Sequence, residues 1–426
     1  MPAVSPAVWS LVALLVALVV SMTSRINVGW LGLAGAWIIG VYVAGLKPDV
    51  VMAGFPVSLF ITLTGVTLLF AVAEVNGTLP ALAHRAIRVA RGNARVIPLL
   101  FFVIACALSS IGPGAVSTVA LLAPLAMVMG RQAGVPYFLT ALMVANGANA
   151  GNLSPFSSVG VIANSAMAKA GLTGYEGRVW FANFVAHVLV AAAAYAWFAR
   201  RTPVSATLAP ADRVHAPGAA TTTMEMTMTQ RLTLCTIVAW IFGVLVFNMS
   251  LGLSAFAAAA MLLVAGAGDE AAAVKRVPWA VVMMVCGVSV LIALLEKTGG
   301  MDLFTHLLAR TASSRTVDGV IALVTGAIST YSSTSGVVLP AFLPTASSLV
   351  EKVGGGDPLA VALSINVGSS LVDVSPLSTI GALCVAAVAE PSAARALFRA
   401  MLAWGFSMIV VGALFAQVFA PMLAAR

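Results

Sequence analysis

The stretch Asn146-Gly147-Ala148-Asn149-Ala150-Gly151-Asn152-Leu153-Ser154-Pro155 lies in the middle of an uncharged run, 132–168. Two Gly, three Asn and a Pro in ten residues are poor material for a continuous helix, because each weakens or removes helical hydrogen bonding. The spacing therefore predicts a helix broken at depth, with backbone amides and carbonyls left to face one another. The motif recurs as Asn366-Val367-Gly368-Ser369-Ser370-Leu371-Val372-Asp373-Val374-Ser375-Pro376.

Working outward, the whole chain repeats at an offset near 220 residues. Gly65-Val66, Glu74, Gly77 and His84 match Gly287-Val288, Glu296, Gly299 and His306; Pro124 matches Pro344; Gly147, Ser154-Pro155 and Gly160 match Gly368, Ser375-Pro376 and Gly381. Agreement that keeps falling on Gly, Pro and Glu marks a duplication. The boundaries read as a first repeat over 1–200, a linker over 201–230 rich in Thr, Ala and Pro, and a second repeat over 231–426.

The surroundings of these breaks are apolar. Of 426 residues 61% are hydrophobic, and only 8% are charged (22 Lys+Arg, 14 Asp+Glu), against about 25% in soluble domains. Charge-free runs cover 1–24, 26–46, 50–73, 96–130, 132–168, 179–199, 232–268, 277–295, 319–350 and 400–425. A membrane-spanning helix needs about 20 such residues, so the chain reads as an all-α, multi-pass protein of the lipid bilayer. The net charge of +8 comes from basic residues scattered at the ends of apolar runs, which excludes a nucleic-acid stripe. No basic region precedes the first apolar run, so it is expected to be a retained helix and not a cleaved signal. Cys106, Cys235, Cys286 and Cys384 stand singly and read as buried small hydrophobes.

Each repeat starts with three apolar helices, near 8–22, 28–46 and 53–75, then 232–248, 251–267 and 278–296. An amphipathic connector follows. In the first repeat it carries Arg85, Arg88, Arg91 and Arg95 on one face, as an interfacial helix would; in the second it spans Met301 to Arg315. The next run, 96–130, is too long for one crossing and is interrupted by Ser109-Ser110-Ile111-Gly112-Pro113-Gly114. Arg95 and Arg131 flank it, and by the positive-inside rule both belong on the cytoplasmic side, which predicts a re-entrant hairpin. Two full crossings are the alternative. The matching run 319–350 turns at Tyr331-Ser332-Ser333-Thr334-Ser335-Gly336. Closing helices are expected near 180–198 and 398–422.

Five crossings and one hairpin per repeat give about ten transmembrane helices, two re-entrant hairpins and two broken helices, with the second repeat inverted. This orientation places fourteen Lys/Arg in the cytoplasm, the linker's among them, and eight outside. Hairpin tips and broken helices related by an inverted repeat point to a substrate site near the bilayer midplane. Pro113, Pro155 and Pro376 stand where new helices could begin, with Ser154 and Ser375 as N-caps of the last two; the amides behind those serines would face a carboxylate.

No Arg or Lys lies in the apolar segments to pair with an anion, so a dianion would need co-bound cations, and cation symport is predicted. Asp373, equivalent to Asn152, is the acidic residue within a break; it could ligate sodium, carry a proton, or cap the next half-helix. His84, His306, Glu74 and Glu296 read as structural groups at the interface. No His, Cys or paired carboxylates converge within the segments, which argues against an enzyme, and no cofactor is expected beyond sodium as coupling ion.

These residues resemble a known family. Ala53-Gly54-Phe55-Pro56 through Glu74-Val75-Asn76-Gly77-Thr78, then Gly112-Pro113-Gly114-Ala115-Val116, then Asn146 to Gly151 with Ser154-Pro155, are similar to the N-terminal domain of the MatC-type dicarboxylate (malonate) carriers of the ion-transporter superfamily, related to the divalent-anion/sodium symporters. The likeness is dense over 26–200 and collinear but weaker beyond.

The resemblance implies an elevator transporter with scaffold 1–92 and 231–315, and transport elements 93–200 and 316–426. It also implies a homodimer in the cell's inner (plasma) membrane. The expected cargo is malonate or a C4 acid taken up with sodium; proton coupling through Asp373, or an anion channel, are the alternatives. The expected substrate residues are Gly112, Pro113, Gly114, Ser154, Pro155, Ser333, Thr334, Ser335, Ser375 and Pro376. The expected sodium residues are Ser109, Ser110, Asn149, Asn152, Ser332, Ser370 and Asp373. Where the divalent-anion symporters carry Ser-Asn-Thr at each tip, this chain has Gly112-Pro113-Gly114 and Ser333-Thr334-Ser335, so backbone amides would stand in for side chains at the first.

Overall fold

The computed structural model describes residues 5–23, 26–81, 95–201, 226–247, 249–330, 333–388 and 390–425. Arg85, Arg88, Arg91 and His84 of the amphipathic connector, Tyr331 and Ser332 of the second tip, and 202–225 of the linker lie outside the described residues.

Every described element is helical. In the first repeat these are α1 (Pro6–Thr23), α2 (Val28–Trp37) running on into a π turn (Ile38–Val43), α3 (Pro48–Met52), α4 (Val57–Val75), α5 (Val96–Ile111), α6 (Gly114–Gln132), α7 (Tyr137–Gly151), α8 (Ser158–Lys169) and α9 (Glu176–Arg201). The second repeat has α10 (Met228–Phe247), α11 (Leu251–Val264), α12 (Glu270–Arg276), α13 (Trp279–Thr298), α14 (Gly300–Ala309), α15 (Val317–Ser329), a π turn (Thr334–Val338), α16 (Leu339–Phe342), a 3-10 turn (Leu343–Thr345), α17 (Ala346–Val353), α18 (Pro358–Leu371), a 3-10 turn (Val372–Val374), α19 (Thr379–Ala386) and α20 (Pro391–Ala424).

Among the described residues six helical stretches are long and apolar enough to cross a bilayer: Val57–Val75, Gly114–Gln132, Glu176–Phe198, Trp279–Thr298, Pro358–Ala386 and Pro391–Ala424. Outward faces stay apolar: Leu414 is 62% and Val418 55% exposed on α20, and Phe181 is 50% exposed on α9. A surface so apolar is suited to hydrocarbon and not to water.

Equivalent residues of the two repeats make equivalent contacts. Helix α4 packs on α11 of the other repeat, and α13 packs on α2. Both crossings depend on glycine. A Cβ on Gly32 would fall 2.6 Å from the Gly287 carbonyl oxygen, and one on Gly287 would overlap the Gly29 backbone; likewise Gly65 abuts the Gly252 carbonyl and Gly252 the Thr62 backbone. Small residues let apolar helices approach to backbone contact, where dispersion is strongest. Within each repeat the first hairpin arm and the closing helix flank the helix that precedes the break: α5 and α9 on α7, α15 and α20 on α18.

The first hairpin turns at Gly112-Pro113 as expected, and its arms pack together. Two readings need correction. The helix does not break at Asn146: α7 runs helically through Gly151. Asn146 Nδ2 donates to Leu142 O at 2.9 Å, while Gly147 lies against the Phe102 backbone and Gly151 against Cys106 and Ser110. Burial among neighbouring helices thus outweighs local propensity. The half-helices also do not begin at Pro155 and Pro376; they begin at Ser158 and Thr379, three residues later.

Candidate functional site

The three-residue delay comes from a turn that both repeats share. Ser154 N donates to Gly151 O at 3.0 Å and Ser157 N to Ser154 O at 2.9 Å; Ser375 N donates to Val372 O at 2.9 Å and Ser378 N to Ser375 O at 3.0 Å. Ser154 Oγ accepts from Phe156 N at 3.3 Å and Ser375 Oγ from Leu377 N at 3.4 Å, so these hydroxyls stabilise the turn and do not cap a helix. Ser157 and Ser378 hold the N-cap positions, and Ser378 Oγ accepts from Gly381 N at 3.4 Å. Pro155 and Pro376 lie inside the turn. Gly160 and Gly381 face the Ser154 and Ser375 carbonyls so closely that neither has room for a Cβ.

The first tip holds this turn from two sides. Ser158 N donates to Gly112 O at 3.3 Å, and Ala115 N donates to Asn152 Oδ1 at 2.9 Å. Gly114, with φ +75°, faces a ring of oxygens: its Cβ position is 2.7 Å from Ser158 Oγ, 3.5 Å from Asn152 Oδ1 and 3.8 Å from Ser157 Oγ. Only a glycine brings the backbone this close. Pro113 is the N-cap residue of α6. The buried hydroxyls of Ser109, Thr118 and Ser157 have no hydrogen-bond partner, whereas Ser110 bonds Cys106 in the preceding turn. Gly112 is pressed against the Phe70 ring, and the Phe156–Trp240 and Trp240–Phe70 ring contacts, with centroids 6.3 and 6.2 Å apart, tie the break to α10 and α4.

The second tip meets its break through side chains. Thr334 Oγ1 is in contact with Ser329 Oγ, and Ser329 Oγ donates to Ser369 O at 2.9 Å. The Asp373 carboxyl group lies beside the Thr334 and Ser378 hydroxyls, and Ser378 Oγ donates to the Asp373 and Ser375 carbonyls. Carboxylate, hydroxyls and the Ser369 carbonyl make a set of oxygen donors, the chemistry that suits a hard cation. Ser333 Oγ accepts from Gly336 N at 3.0 Å and so shapes the tip. Ser335 is half-buried beside it, and Ser370 is buried on α18.

The structure therefore brings Gly112, Pro113, Gly114, Asn152, Ser154 and Pro155 to one tip–break junction, and Thr334, Asp373, Ser375 and Pro376 to the other. The junctions are interlocked: α19 leaves the second break to pack on α6 of the first hairpin, and α8 leaves the first to pack on residues 339–345 of the second. Ser157, Ser158, Ser329, Ser369 and Ser378 escaped the sequence reading. The Ser157–Ser378 match at the repeat offset was the available signal.

Asn149, expected to bind sodium, has a different neighbourhood. Its carbonyl accepts from Asn183 Nδ2 on α9 at 2.6 Å, and its side-chain atoms are buried without a partner. His187, one turn beyond Asn183, was not singled out from sequence; it is fully buried, with Nδ1 3.0 Å from Asn146 Oδ1.

Residues 4–152 match the family described as dicarboxylate carrier protein MatC N-terminus. No curated protein matches the chain in sequence. Among solved structures, the Alcanivorax borkumensis YdaH transporter is 15% identical, with 97% of each chain covered and a TM-score of 0.56. Neisseria gonorrhoeae MtrF, described within a class of antimetabolite efflux pumps, is 13% identical over 98% of this chain and 95% of its own, with a TM-score of 0.57. At these identities the likeness establishes a shared fold.

Proposed function

We propose that this protein is a secondary active transporter that takes up a small dicarboxylate, malonate or a C4 acid, in symport with sodium. The observation that carries the reading is the pairing of each hairpin tip with a helix break. One junction presents backbone amides, Ser and Asn; the other presents a carboxylate ringed by hydroxyls. Helix N-termini attract carboxylates, each worth about half a charge, and two such ends do not neutralise a dianion. Sodium at Asp373, Thr334, Ser378, Ser329 and the Ser369 carbonyl would supply the missing charge.

The match of residues 4–152 to the dicarboxylate carriers and the fold shared with two transporters support this class of function. In the mechanism we favour, α1–α4 and α10–α13 form a fixed scaffold, while the hairpins, broken helices and closing helices move as a body in an elevator cycle within a homodimer of the inner membrane. Ser109, Ser110, Asn149, Asn152, Ser332 and Ser370 are the further sodium candidates. Pro113, Ser154, Pro155, Ser333, Ser335, Ser375 and Pro376 would frame the substrate.

Uptake of radiolabelled malonate and succinate into proteoliposomes, driven by an inward sodium gradient at fixed pH, tests the proposal. Accumulation that requires sodium is expected. Accumulation indifferent to sodium but abolished by Asp373→Asn would favour proton coupling, and flux that never exceeds equilibration would favour a channel.

A further inference from the structure

A groove of about 520 Å³ opens on the flank of the protein between the closing helices of the two repeats, α9 and α20. Ala193 and Ala194 line it from α9 and Ala400 and Ala403 from α20, and the shortness of these side chains leaves the space between the helices unfilled. Phe138, in the first turn of α7, joins the two walls: its ring centroid is 5.6 Å from that of Phe198 on α9 and 5.9 Å from that of Trp404 on α20. Ser407 is the polar residue of the lining, and its hydroxyl donates to Trp404 O at 2.7 Å, so the walls present no free hydroxyl. Trp197, at the rim, is 58% exposed.

One end of this apolar groove is basic. The start of α7, the end of α9 and the start of α20 meet there, and α9 ends on the sequence Arg200-Arg201. On α20, Arg395, Arg399, Ala403 and Ser407 are spaced by four, so the two arginines stand on a helical row that continues into the groove wall. Both arginines are exposed, and neither has an ion pair among the described residues. The acid at this end, Glu390, is already engaged: Arg131 lies 3.3 Å from its carboxylate and Ser392 Oγ donates to it at 2.7 Å.

Two unpaired guanidinium groups suit a phosphodiester, which they can bind in bidentate fashion. Hydrocarbon walls that begin one turn further along the same helix suit the acyl chain of the same molecule. By the positive-inside reading this end faces the cytoplasm, and tryptophans such as Trp197 are characteristic of headgroup level. Any lipid could fill the groove; the arginines select for charge, as basic pockets between membrane helices do.

We propose that the groove between α9 and α20 is a binding site for an anionic phospholipid of the cytoplasmic leaflet, with one acyl chain between the alanines and the phosphate on Arg395 and Arg399. The lipid joins the closing helices of the two repeats where the protein leaves them apart, and so stabilises the fold. This holds whether or not the chain carries dicarboxylates.

Thermal unfolding of the purified full chain in detergent, with added phosphatidylglycerol or phosphatidylcholine of identical acyl chains, tests it. Phosphatidylglycerol is expected to raise the melting temperature more than phosphatidylcholine, because a ligand of the folded state stabilises it. Arg395→Gln combined with Arg399→Gln should abolish the difference between the lipids, whereas Arg310→Gln combined with Arg315→Gln, at exposed arginines on the connector of the second repeat, should preserve it. Ala403→Phe, which fills the groove, should weaken the response to phosphatidylglycerol, and native mass spectrometry should show less of that lipid retained. Equal shifts with the two lipids, or a difference that survives in the Arg395/Arg399 variant, overturn the proposal. So does a full shift with glycerol phosphate alone, which would show an anion site that makes no use of the groove. Conversion of a dimer to a monomer by Ala403→Phe, with lipid retention unchanged, would assign the groove to a second copy of the chain and overturn it as well.

Discussion

Asn152 Oδ1 accepts the Ala115 backbone N–H at 2.9 Å, so the side chain that ends one half of a broken helix caps the first turn of the neighbouring hairpin arm. The repeat places Asp373 at the equivalent position, and there the carboxyl group lies beside hydroxyls of the second tip and break. One position, occupied by an amide in one repeat and an acid in the other, gives one junction a carboxyl group that the other lacks.

Asn152→Ala should therefore leave the buried Ala115 N–H without its partner, at a cost of about 1–3 kcal/mol. The expected outcome is a lower melting temperature in detergent and impaired uptake. An unchanged melting temperature would mean that the bond does not hold the tip.

Asp373→Asn removes the one charge from the oxygen shell of the second junction. Sodium chloride is expected to raise the melting temperature of the native protein relative to choline chloride at equal ionic strength, because a ligand that binds the folded state stabilises it. In the variant the sodium midpoint should rise by at least about tenfold, on the order of 1.4 kcal/mol. An unchanged sodium midpoint would place the cation elsewhere.

The crossing of α2 with α13 has no space for a methyl group at Gly287, whereas Gly177 in the first turn of α9 faces open space. Gly287→Ala is expected to destabilise by about 1–3 kcal/mol through overpacking. Gly177→Ala is expected to be neutral or to stabilise by up to about 1 kcal/mol. Thermal unfolding of the two variants side by side checks the sign of each.

Gly112 is pressed against Phe70, so Gly112→Ala should push the tip away from α4 and lower both stability and uptake. Removing the ring should relieve the collision: Phe70→Ala combined with Gly112→Ala is expected to lose less than the sum of the single effects. Strict additivity in melting temperature would show that the two residues do not interact.

Much of this was legible in the sequence because a bilayer makes simple demands. Apolar runs of sufficient length had to become helices, and the duplication pairs Gly65 with Gly287 and Ser154 with Ser375. The hairpin turn at Gly112-Pro113 followed from Gly and Pro inside a run too long for one crossing. The break begins later than Asn and Gly at 146–147 predict, since these are poor helix residues only in isolation; α7 stays helical through Gly151 because its neighbours close over it, which local propensity does not report.

The sequence by itself determined the solvent, the repeat and the places where helices had to be interrupted, since these depend on composition and on the backbone chemistry of Gly and Pro. Only the tertiary structure decided which partners meet. The Asn152–Ala115 bond, the hydroxyls around Asp373, and the Asn146–His187 contact each join residues distant in the chain or on different helices. Such pairings are selected by packing, because polar groups buried in an apolar protein must find one another.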